Sequence, residues 1–140
     1  MIISNLKQIK HQVFSAFSVG VGDLVLGTNP AGSLPETVEQ IEKELTDIRE
    51  TFKIKEIIPH SVLAHIDIQA HLGEKGEKNM EDTGIWFQSI AGSDKANATF
   101  DLPFKKMVGL ANKREGKFGL YLETGQGADF TNGHGQVFFF

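Results

Sequence analysis

The sequence predicts an α/β fold in which parallel strands are joined by crossover helices. Four short apolar runs, at residues 23–27, 61–66, 85–90 and 118–124, alternate with stretches of helical periodicity. Runs without polar alternation are the signature of strands buried on both faces, as in parallel sheets. Each run also ends in a polar group, as expected where a site is built on the carboxyl edge of such a sheet. Flavodoxin-like sheets and (β/α)8 barrels both begin with this alternation. Four strands would make roughly half of such a barrel.

Taken in order, residues 4–18 place Leu6, Ile9, Val13 and Phe17 on one helical face. The run DLVLG at 23–27 follows and is closed by a glycine. The loop TNPAGSLP is dense in turn residues and sets Pro35 in the first turn of the next helix. Over 36–52, Val38, Ile41, Leu45, Ile48 and Phe52 recur at helical spacing, the clearest such face in the chain. SVLAHI at 61–66 is the second strand, followed by a short helix or turn and a charged, solvated linker at 73–84. IWFQSI at 85–90 is the third strand. Ser93 or Asp94 then caps a short helical turn, and Pro103 opens a helix that packs Phe104, Met107, Val108 and Ala111 inward. FGLYLET at 118–124 is the fourth strand.

The size and composition fit a single domain over 1–140, with 40% hydrophobic and 23% charged residues placing it among globular chains. Fourteen basic against eighteen acidic side chains give a net charge of −4 and no basic patch, which argues against nucleic acid as a partner. Without cysteine there are no disulfides and no thiolate metal ligands. The N-terminal apolar stretch is broken by Ser15 and Ser18 and followed at once by Asp23, so it reads as an amphipathic helix rather than a signal peptide. The expectation is a cytoplasmic protein with no membrane partner. The histidines form no HExxH pair, so no metal site is assigned, and GQGADF lacks the spacing of a dinucleotide fingerprint.

The polar ends of the runs are Thr28-Asn29, His65 with Asp67, Gln88-Ser89, and Glu123-Thr124. Amides and carboxylates converging on one rim suit a small polar or cationic ligand. Each residue has a plainer reading: Asn29 before Pro30 is a common turn residue, and His65 a hydrogen-bonded rim histidine. Gln88 inside WFQSI is harder to explain by packing, because a buried amide without partners costs about 1–3 kcal/mol. Glu123, followed by Gly125 and Gly127, is either a site carboxylate or a structural cap.

Four blocks, GVGDLVLGTNP (20–30), VLAHIDIQA (62–70), GIWFQSIAGSDKANATFDL (84–102) and YLETGQGADFTNGHG (121–135), together resemble the large subunit of ethanolamine ammonia-lyase. The resemblance implies a (β/α)8 barrel that works with a small subunit and adenosylcobalamin. That family is a carbon–nitrogen lyase converting ethanolamine to acetaldehyde and ammonia by radical chemistry. Carried over by motif, Asn29 of TNP and Glu123 of ETGQG would bind ethanolamine, the carboxylate holding the ammonium group. Pro30, Gln88 of FQS and Thr131 would contact the cobalamin, Thr131 standing where some members have a serine. Phe100 would help wall the site. The implied location is the cytoplasm, with a bacterial microcompartment as its finer address.

The departures from the family pattern shape the expectation equally. The family subunit is much longer, and its substrate-binding arginine, glutamine and a later aspartate have no counterpart here. Residues 136–140, QVFFF, diverge from the family continuation and read as an early stop or frameshift. The chain is therefore expected to be an internal piece with family-like residues 20–135, inactive alone. A half-barrel leaves two strand edges open, so oligomers or aggregates are expected. The alternative is a non-catalytic, self-associating half-barrel that binds a corrinoid or an amine. A flavodoxin-like enzyme would need a phosphate loop after the first strand, for which TNPAGS is a poor candidate.

Overall fold

Parallel strand pairing organises the chain. The computed structural model describes residues 2–20, 22–30, 32, 34–76, 84–100, 102–114 and 116–124. In order, the elements are α1 (Ile2–Ser18), β1 (Leu26–Thr28), α2 (Pro35–Thr51), β2 (His60–Val62) and α3 (Ile66–Glu74). They continue with β3 (Trp86–Ile90), α4 (Asp94–Phe100), α5 (Phe104–Ala111) and β4 (Leu120–Thr124). Strand β1 lies parallel to β2, with Leu26 opposite His60 and Thr28 opposite Val62. Strand β3 lies parallel to β4, with Trp86 opposite Leu120 and Ser89 opposite Glu123. A parallel bridge between His60 and Gly84 joins the two pairs. There the Ile85 amide donates to the His60 carbonyl at 2.7 Å, and the Ser61 hydroxyl to the Ile85 carbonyl at 3.0 Å.

Beyond that bridge a side chain takes over the ladder between β2 and β3. Gln69 of α3, only 1% exposed, accepts the Phe87 N–H at Oε1 (2.9 Å). Its Nε2 donates toward the carbonyls of Ala64 (2.5 Å) and Val62 (3.2 Å). One amide thus satisfies backbone groups on both strands and fixes α3 against the seam. Buried backbone groups left bare are costly, which is why such a stitch is needed wherever strands diverge.

The helices cover one side of the strands. Leu26 and Val62 pack with Val38, Ile41, Leu45 and Ile48 of α2. Trp86 packs with Ile66 and Ala70 of α3 and Met107 of α5. Successive strand residues point to opposite faces, so Leu26, Val62, Trp86 and Gln88 face the helices. Gly27, Ser61, Phe87, Ser89, Tyr121 and Glu123 alternate with them, toward the opposite face. The Phe87 and Tyr121 rings, paired in register, lie 5.6 Å apart there.

A charged network ties α2 to β2. Glu42, Arg49 and His60 are buried, the last two completely. Glu42 Oε2 contacts His60 Nε2, and Arg49 Nη1 contacts His60 Nδ1. Guanidinium nitrogens only donate, so Nδ1 is the acceptor of the Arg49 contact. Arg49 also donates to the carbonyls of Ile58 (2.8 Å) and Lys55 (2.6 Å), locking the turn between α2 and β2. Burial pushes the Arg49 guanidinium below its ordinary pKa, and the Glu42 carboxylate opposes the shift.

The α/β class and the parallel pairing agree with the sequence. The details differ in several places, beginning with β1, which occupies Leu26–Thr28 and not 23–27. Strand β2 occupies His60–Val62, not 61–66, because the Ala64 amide turns back to the Val62 carbonyl (2.8 Å) and α3 begins at Ile66. Helix α3 runs to Glu74, into the stretch expected to be linker. Helix α5 turns Met107, Leu110 and Ala111 toward Trp86, which leaves Val108 and Phe104 exposed instead of inward. Strand β4 is not buried on both faces: Leu120, Tyr121 and Leu122 are 36–49% exposed. Phe52 also remains half exposed, yet it meets the rings of Phe14 and Phe17 edge-on at 5.6 and 5.1 Å.

Two stability predictions follow from these contacts. Replacing Gln69 by leucine preserves most of the volume but strips the seam of its donor and acceptor, at about 1–3 kcal/mol per bared group. Urea unfolding should show that loss, whereas a change within 0.5 kcal/mol would contradict the stitch. Replacing Arg49 by methionine leaves Glu42 buried without its cation, and should lower stability by about 3–5 kcal/mol in the same assay.

Candidate functional site

The candidate site lies where the parallel strands end. Both registers run in one direction, so the carboxyl ends of β1 and β2 share one edge, as do those of β3 and β4. Asn29 and Pro30 leave β1 at this edge, Asn29 exposed and Pro30 half-buried. The preceding residue is held by the sheet, since the Leu63 amide donates to the Thr28 carbonyl at 2.9 Å. A rigid strand therefore delivers the Asn29 amide to a solvent-open position.

After β2 the chain turns at once into α3. His65 occupies the N-cap position, half-buried, and its carbonyl accepts the amides of Ile68 (3.1 Å) and Gln69 (3.3 Å). Asp67 stands in the first helical turn, where a carboxylate complements the helix dipole. These are backbone contacts of the helix start and do not involve the His65 imidazole.

Gln88 and Glu123 fall on opposite faces. Gln88 is fully buried on the helix side, opposite Leu122, where its Oε1 accepts the Ile66 N–H at 3.0 Å. Its Nε2 donates to the Ser89 carbonyl at 2.7 Å. In effect β3 supplies the cap that α3 lacks from its own N-cap side chain. Glu123 is half-buried on the face away from the helices, opposite Ser89. The structure thus sets Glu123 opposite Ser89, while the Gln88 side chain lies on the helix side. Thr131 lies outside the described residues, as does the side chain of Phe100.

Past the end of β3 an open cleft of about 670 Å³ lies between the β3–α4 loop and α5. Three of its polar side chains, Asn97, Asp94 and Ser93, shape the loop. Asn97 Oδ1 accepts the Ala91 N–H at 2.7 Å, and Asp94 Oδ1 accepts the Phe104 N–H at 2.8 Å. Ser93 Oγ accepts the Ala96 N–H at 3.2 Å, the hydroxyl cap expected of Ser93. On the opposite edge, Arg114 Nη2 donates to the Gly84 carbonyl at 2.7 Å, and burial lowers its pKa from the ordinary value.

Two functional features of the fold were absent from the sequence reading. Gln69 sits three residues after Ile66 on the inward helical face, where a polar side chain needs partners. Glu42 and Arg49, seven residues apart, share a face with the apolar stripe of α2. Both signals are polar residues in apolar register.

Comparison with known proteins decides the family. The family model described as "Ethanolamine ammonia lyase large subunit (EutB)" matches residues 2–138. The chain belongs to that family. It is 30% identical over 135 residues to the ethanolamine ammonia-lyase large subunit of Escherichia coli (strain K12). It is also similar to the subunit of the same name from Salmonella typhimurium (strain LT2), again 30% identical over 135 residues. In each case the match covers 92% of this chain and 28% of the relative, so the chain spans under a third of the length of these relatives. Among the described residues, no helix is long and apolar enough to cross a membrane.

The geometry of Gln88 yields a prediction. Gln88→Leu bares the Ile66 N–H and should cost about 1–3 kcal/mol in urea unfolding. Unchanged stability would show that the amide is not the cap of α3.

Proposed function

We propose that this chain carries part of the substrate- and cobalamin-binding rim of an ethanolamine ammonia-lyase large subunit. The observation that supports the reading most is the family match over residues 2–138. The strands β1 to β4 form one half of a (β/α)8 barrel in this reading, with the rim at their carboxyl ends. Asn29 and Glu123 bind ethanolamine. The half-buried Glu123 carboxylate holds the ammonium group, because a partly desolvated anion attracts a cation more strongly than one in bulk water. The exposed Asn29 amide is suited to the substrate hydroxyl, both donating and accepting.

Adenosylcobalamin, by family, supplies radical chemistry when bound. Of the residues assigned to it, Pro30 fits a contact role, standing half-buried beside the exposed Asn29. Gln88 fits less well, since its amide is buried and engaged with the Ile66 N–H and the Ser89 carbonyl. Thr131 completes the proposed set. The chain's own contribution is to bind and orient: Glu123 anchors one end of the substrate and Asn29 the other. A small subunit is the proposed partner, and the bacterial cytoplasm or a microcompartment the proposed location.

The chain taken by itself is proposed to be catalytically inactive, since it spans only 28% of the length of its relatives. The test combines purified chain, small subunit, adenosylcobalamin and ethanolamine, and follows acetaldehyde. No turnover is expected, and sustained turnover refutes inactivity. Titration of adenosylcobalamin by visible absorbance should show saturable binding. In calorimetry, Glu123→Gln should weaken ethanolamine binding about 10- to 100-fold, the loss of a charged hydrogen bond worth about 1.5–3 kcal/mol. Affinity unchanged by that substitution would remove Glu123 from the site.

A further inference from the structure

We infer that Asn97 is a positioning residue: its side chain fixes the carboxyl end of β3 and, through it, holds Ser89 opposite Glu123 at the proposed ethanolamine site. The inference rests on that reading for its ligand but not for its geometry, which is a pattern along one edge of β3. In a strand the N–H and C=O of one residue point to the same side, and alternate residues point to the same neighbour. Ile85, Phe87, Ser89 and Ala91 therefore turn their backbone groups toward β2.

Ile85 meets β2 directly, its N–H on the His60 carbonyl and its carbonyl under the Ser61 hydroxyl. Strand β2 then ends at Val62 and the chain turns away into α3. From there on the partners are side-chain amides. Gln69 accepts the Phe87 N–H at 2.9 Å and donates toward the Phe87 carbonyl at 3.4 Å. Gln88 donates to the Ser89 carbonyl while accepting the Ile66 N–H, and so spans from the strand to α3. Asn97 accepts the Ala91 N–H at 2.7 Å and donates toward the Ala91 carbonyl at 3.4 Å. Three amides in succession thus take the place of a strand edge where β2 and β3 part.

Asn97 is the last rung, and it acts nearest the site. Ala91 directly follows Ile90, which pairs with Thr124, and stands two residues after Ser89, which pairs with Glu123. Holding both backbone groups of Ala91 keeps β3 extended past the level of Glu123. The clasp is itself fixed in place. Asn97 is buried, its N–H donates to the Ser93 carbonyl at 3.0 Å, and Asp94 of the same short helix accepts the Phe104 N–H at the start of α5. A planar amide suits the task because it carries a donor and an acceptor side by side, whereas a carboxylate only accepts. Ala91 is half-buried beside the open cleft past β3, so water can replace a lost clasp and the fold survives its removal. What is lost is the fixed geometry of the strand end, a local opening rather than global unfolding.

The test titrates the full-length chain, Asn97→Ala and Asn97→Asp with ethanolamine by calorimetry, and urea unfolding of each sample gives its folded fraction. After correction for that fraction, Asn97→Ala should bind about tenfold more weakly, because the cost of ordering one backbone residue now falls on binding. Asn97→Asp keeps the acceptor for the Ala91 N–H and should fall between the other two. Equal affinity of the folded fractions overturns the proposal, since a purely structural residue changes only how much protein is folded. NMR amide signals read the geometry without a ligand. Asn97→Ala should shift Ser89, Ile90 and Glu123 and leave Val38 and Leu45 of α2 in place. If Asn97→Ala does not fold, the same signals in Asn97→Asp decide. An unsubstituted chain that binds no ethanolamine removes the proposed rim, and the amide signals alone then judge the positioning. Ser89 and Glu123 unmoved, or signals displaced throughout the chain, overturn it.

Discussion

The seam between β2 and β3 is the constraint on which the rest of the structure depends. At the His60–Gly84 bridge the backbone pairs directly, and beyond it Gln69 supplies the missing partners from α3. Without that amide, Phe87 would lose an acceptor and Ala64 a donor in a dry interior, where an unmade hydrogen bond costs most. The same side chain sets the height of α3, which places Ile66 under Gln88 and Ala70 against Trp86. One residue thus couples the two strand pairs to each other and to the helix layer.

The second anchor is ionic and lies on the other side of β2. Glu42, His60 and Arg49 form a buried chain of contacts that runs from carboxylate to imidazole to guanidinium. Arg49 also donates to the carbonyls of Ile58 and Lys55. Burying such charges is costly, and removal of one member exposes that cost for the others. Between them, Gln69 and this triad hold β2 from both sides, which is how a three-residue strand remains in register.

Much of this was legible in the residues, and what was not has identifiable causes. The α2 stripe of Val38, Ile41, Leu45 and Ile48 is buried as its spacing requires, because a helical face is a local property. Helix α5 was misread at Phe104 and Val108, since an eight-residue helix touching its neighbours on one side cannot bury a wide face. The site edge was readable from the polar residues that close each run, but not the face each would take. Gln88 and Glu123 differ by which strand partner they oppose, Leu122 or Ser89, and that register is set by tertiary pairing. Gln69 stood in the motif VLAHIDIQA as a family-like residue, and only the diverging strands revealed its structural work.

The central claim is that four parallel strands form one cooperative unit across the Gln69 seam. Native-state amide hydrogen exchange, read residue by residue by NMR, tests it most directly. The account predicts that Phe87, Ile85 and Ile66 exchange together, at the rate of global unfolding, because their acceptors are the Gln69 amide, the His60 carbonyl and the Gln88 amide. If the β3 amides instead exchange far faster than those of β2 and α2, the two strand pairs open independently, and the unit described here does not exist.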